Sequence, residues 1–75
     1  MLFTVYFFNW TTGEVVAAHR RAVNAHAAVS TFRRKMRDTG TLSRGNQYSL
    51  LLYKGQRDLA DWPAGYADEA REVAR

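Results

Sequence analysis

The chain has 75 residues, 47% of them apolar and 13% aromatic, with a formal charge of +4 and no cysteine. That is the composition of one globular domain rather than a disordered tail, and it excludes a disulfide framework or a thiolate metal site. A chain this short buries only about 60% of the surface its unfolded state exposes, so its stability must rest on a small core.

Residues 2–8, LFTVYFF, are aromatic and β-branched, which predicts a strand. Phe3, Val5 and Phe7 alternate with Thr4, Tyr6 and Phe8, and both faces are largely apolar, so this strand should be central and covered on two sides. The apolar start is too short to cross a bilayer and lacks a basic leader, so the expected location is the cytoplasm of a cell or an infected host cell. NWTTGE supplies turn residues, and a second strand is predicted over residues 14–20.

Asn24 is a good helix N-cap and Gly40 a good stop, which predicts a helix over residues 25–38. Between them Ala25, Ala28, Val29, Phe32 and Met36 form one apolar stripe at helical spacing. The segment STFRRKMR puts Arg33, Arg34, Lys35 and Arg37 around Phe32 and Met36, so the apolar pair should face the core and the arginines solvent. The polar loop TGTLSRGNQ leads to a third strand over residues 48–53, YSLLLY. A fourth strand is expected around Gln56–Ala60. A short C-terminal helix is expected over residues 62–74, capped by Asp61, with Trp62, Tyr66, Ala70 and Val73 in line.

The expected fold is therefore a single α+β domain over residues 1–75. Its small antiparallel sheet has the order of elements β-β-α-β with a further strand, one main helix packed on one face, and a short C-terminal helix. That outline serves many unrelated roles and does not choose among them.

Catalysis has little to rest on. There is no cysteine nucleophile, glycine-rich phosphate loop or nucleophile elbow. His19 and His26 lack carboxylates at ligand spacing, and Asp58 and Asp61 read as an acidic turn followed by a helix cap. The expectation is a non-enzyme without cofactor or metal.

Binding has more. Residues 15–57 carry nine basic side chains against Asp38 alone, whereas residues 58–75 carry five acidic ones against two arginines. Nine of the eleven basic residues are arginines, whose forked guanidinium suits phosphate and carboxylate. Arg33, Arg34 and Arg37 on the helix, with Arg20 and Arg21 before it and Arg44 after it, form a candidate phosphate-binding patch. The same charges also serve as an ordinary solvated face, since cations near a helix C-terminus interact favourably with its dipole.

Tyr6, Tyr53 and Trp10 are candidate aromatic contacts, Trp10 because it stands at the hairpin tip. The alternative for the sheet aromatics is burial beneath the C-terminal segment. The expected partner is nucleic acid or a nucleoprotein complex. The alternative is a protein target that the chain blocks or adapts, in the style of compact inhibitors encoded by viruses and mobile elements and aimed at a host defence complex or polymerase. An edge strand in so small a sheet also invites a homodimer.

Overall fold

The computed structural model describes residues 1–62 and 71–75. Strands β1 (Leu2–Asn9), β2 (Val15–Arg21), β3 (Gln47–Lys54) and β4 (Arg71–Val73) form one antiparallel sheet in the order β2-β1-β3-β4. Helix α1 (Ala25–Asp38) packs on one face of it. This is the α+β architecture that the order of elements implies.

β1 is central because it is apolar on both sides. Phe3, Val5 and Phe7 are buried on the α1 face, and Thr4 and Tyr6 are buried on the other. Burying a side chain such as Phe7 or Val5 contributes about 1.5–3 kcal/mol. β2 and β3 both run antiparallel to β1, so they are parallel to each other and α1 crosses above β1 to join them. Phe32 and Met36 of α1 meet Val5, Phe7, Leu42, Tyr48 and Ala74 in the core, flanked by Val16, Ala18, Leu50 and Leu52.

The helix begins and ends where its capping residues stand. The Asn24 side chain accepts from Ala27 N at 2.8 Å. At the other end Gly40 adopts φ +78°, which lets Thr41 N and Leu42 N turn back to Met36 O at 2.8 and 3.0 Å.

Two expectations about the C-terminal third fail. Arg71–Val73 is a strand paired with Gln47–Ser49, not the end of a helix, and Trp62 is not helical; the rest of the expected helix, residues 63–70, lies outside the described residues. The pairing continues past β4, with Ala74 N donating to Asn46 O and Gly45 N donating to Ala74 O, both at 2.8 Å. This brings Ala74 into the core and leaves Val73 58% exposed.

Nor is the fourth strand at Gln56–Ala60. Gly55, at φ +95°, turns the chain, and the following residues cross the sheet face opposite α1. Thr4 Oγ1 donates to Gly55 O at 2.8 Å and accepts from Arg57 N at 2.9 Å. Tyr6 OH donates to Asp58 O at 2.8 Å, His19 Nε2 lies 2.7 Å from Arg57 O, and the Trp62 ring packs tilted against the Tyr6 ring with 5.1 Å between centroids. These residues satisfy polar groups on β1 and β2 that would otherwise be stranded under a cover, which a regular strand could not do.

Candidate functional site

α1 exposes its basic residues unequally, and the helical period decides how. With Ala28, Phe32 and Met36 turned to the core, Arg34 and Lys35 are exposed to solvent. Arg33 and Arg37, one turn apart, lie on the flank that faces β3 and β4.

Arg33 is fixed there. Its Nη2 donates to Glu72 Oε2 at 2.8 Å, and Tyr48 OH donates to the same oxygen at 2.8 Å. The Arg33 guanidinium stands 5.9 Å from the Tyr48 ring centroid. Its Nε is buried without a hydrogen-bond partner among the described residues. The pair is half open to water, with 32% of the Arg33 and 52% of the Glu72 side chain exposed, so it is worth no more than about 1 kcal/mol. Burial pushes the Tyr48 phenol above its ordinary value of 10.0, and the hydrogen bond to Glu72 adds to this while the Arg33 charge opposes it.

Around this triad is an open cleft of about 520 Å³, lined by Arg33, Arg37, Tyr48, Glu72, Val73 and Arg75. Arg37 and Arg75 are both exposed, and neither has a carboxylate within ion-pair distance among the described residues. Among the described side chains the cleft thus carries three guanidinium groups against one carboxylate, and that carboxylate is already engaged by Arg33 and Tyr48. An excess of forked donors in a partly enclosed space is suited to an oxyanion, above all a phosphate.

The six arginines picked out in the sequence do not converge on one spot. Arg33 and Arg37 share the cleft, Arg34 is exposed on the same helix, and Arg44 is exposed in the loop after it. Arg20 and Arg21 part company because neighbours in a strand point to opposite faces. Arg20, opposite Phe3, lies on the α1 face with its guanidinium 5.6 Å from the Phe32 ring centroid. Arg21, opposite Leu2, is exposed and belongs to the other face.

The aromatic candidates are also corrected. Tyr6 is 1% exposed and cannot serve as a surface contact. Trp10 does not project from the hairpin: its ring packs 4.5 Å from Phe8, and its Nε1 donates to Ser49 Oγ at 2.8 Å. Tyr53 is half-buried, with Arg57 stacked 4.1 Å from its ring centroid.

Three contributors, Tyr48, Glu72 and Arg75, were not legible as parts of a site. Glu72 is 39 positions from Arg33, and only the pairing of β4 with β3 brings them together. Among the described residues no three His, Cys, Asp or Glu side chains are grouped to hold a metal ion, and no helix is long and apolar enough to cross a membrane. Comparison with protein-family models, curated proteins and solved structures found no match.

Proposed function

We propose that this is a small non-enzymatic binding protein that engages nucleic acid, free or within a nucleoprotein complex, through the phosphates. The observation that supports this is the cleft between α1 and β4. There Arg37 and Arg75 stand beside Arg33 with one engaged carboxylate among the described side chains, and Arg34 and Lys35 extend the positive surface along the exposed side of α1. Phosphate contacts of this kind position a backbone without reading its sequence.

Such binding must fall steeply with salt. Four contacts to a duplex, from Arg34, Lys35, Arg37 and Arg75, should cost about two orders of magnitude in affinity between 50 and 200 mM salt. The test is a titration of a labelled duplex at those two concentrations, with wild type and the double variant Arg34→Glu, Arg37→Glu. Both side chains are exposed, so the variant should keep its fold, yet with two of the four contacts gone it should lose more than tenfold in affinity and about half of the salt dependence. Binding that survives the reversal with an unchanged salt slope would remove the α1 flank from consideration.

A further inference from the structure

We infer that two copies of this chain pair through β2, antiparallel about Ala18, to make one continuous eight-stranded sheet. Among the described residues β2 is an edge strand, bonded to β1 alone. The bonds Asn9 N to Glu14 O and Ala22 N to Met1 O fix which of its residues point inward. Since the two kinds of pair alternate along an antiparallel ladder, Val16, Ala18 and Arg20 bond to β1. Val15, Ala17, His19 and Arg21 present their N–H and C=O groups outward. No backbone group among the described residues meets them. The His19 carbonyl is met by the neighbouring Arg20 Nη1, at 3.3 Å, a bond that the N–H of an added strand replaces.

This edge is self-complementary in one register. A two-fold axis at Ala18 sets Val15 opposite Arg21 and Ala17 opposite His19, so every outward residue faces an outward residue. A shift of two residues either way leaves one outward residue of each copy unpaired. A small side chain, Ala18, sits on the axis, opposite itself. Val15, 51% exposed in the single chain, comes under the aliphatic stem of the other copy's Arg21. No arginine opposes an arginine, and the two Arg21 positions lie about 20 Å apart along the strands, beyond the screening length at physiological salt.

The helices also fit. The axis is perpendicular to the sheet, so both copies of α1 lie on the same face. Each α1 touches the strands on either side of its β1. The two β1 strands are three strand spacings apart, about 14 Å, whereas packed helices need only about 8–10 Å.

The chain lacks cysteine, which makes the register directly testable. Ala18→Cys places two sulfurs across the axis at a non-hydrogen-bonded pair, with Cα atoms about 4.5 Å apart, within disulfide reach. Ala17→Cys sets its pair beyond about 7 Å. Mild oxidation should therefore yield covalent dimer from Ala18→Cys at least tenfold faster than from Ala17→Cys. Equal rates would mean random collision and overturn the register.

Sedimentation of wild type should show the mass rising from 8.6 kDa towards twice that with concentration. Ala17→Pro should hold it at the single-chain mass with an unchanged circular dichroism spectrum, because the N–H it removes points outward. A dimer that survives Ala17→Pro moves the interface elsewhere and overturns the proposal. A monomer up to about 1 mM also overturns it and leaves the edge to a strand of another sequence. If Ala17→Pro fails to fold, the two cysteine variants decide.

Discussion

Tyr48 joins the core to the cleft, and its phenol offers a way to measure that junction. The ring is buried beside Phe7, 5.8 Å between centroids, while the hydroxyl donates to Glu72. The fold raises the phenol's pKa, so it favours the neutral form. A group raised in the folded state contributes stability that is fully present below its unfolded value, near pH 10, and lost as pH rises through the folded value. Tyr48→Phe keeps the ring and removes the proton. It should cost about 1 kcal/mol at neutral pH, and its stability should fall less steeply than wild type above about pH 10. Urea denaturation of both proteins at several alkaline pH values measures this; parallel curves would mean that the phenol titrates without regard to folding. Asn9 shows what single residues did and did not disclose. It is a turn residue by type, and it does stand at the β1–β2 turn. Its side chain, however, also donates to Thr41 O and Asn46 Oδ1 while accepting from Thr11 N and Thr12 N, clamping two loops together. Nothing near position 9 indicates partners at 41 and 46.

Among the elements, α1 and the first three strands were legible because their signals are local. Asn24 caps the helix with its own side chain, Gly40 releases it, and Phe32 and Met36 set the buried stripe. β4 was not legible, because a three-residue strand is too short to show a period and exists through its pairing with β3. Residues 56–61 misled for a related reason: they take their path from Thr4, Tyr6 and His19 on the sheet beneath them. A helix of 14 residues is marginal by itself in water, so its cap should be felt in the stability of the whole domain. Asn24→Ala should cost about 1 kcal/mol, and Asn24→Ser should recover most of it. Thermal or urea unfolding checks this. If alanine were harmless, the stability of α1 would rest on its packed face alone.

For the molecule as a whole, the sequence disclosed the amount of positive charge but not its arrangement. Strand alternation separates Arg20 from Arg21, and β4 leads into Arg75 beside Arg33 and Arg37. The aromatic side chains are committed elsewhere: Tyr6 is buried, Trp10 is bonded to Ser49, and Tyr53 lies under Arg57. On the proposal that the protein binds nucleic acid, that combination bears on the kind it should take. Proteins that prefer single strands gain about 1–3 kcal/mol per base from stacking on aromatic rings. Here guanidinium groups are on offer, and they respond to phosphate density. A duplex carries one charge per about 1.7 Å of axis, and its salt slope per contact is about 0.9 against about 0.7 for a single strand. The protein should therefore bind a duplex at least as tightly as a single strand of equal length at low salt, with the steeper salt dependence. It should also hold homopolymers of different base with nearly equal affinity. Competition titrations of labelled duplex against unlabelled single strands measure both. A tenfold preference for the single strand, or for one base, would show that bases are being read and that phosphate contacts alone do not account for binding.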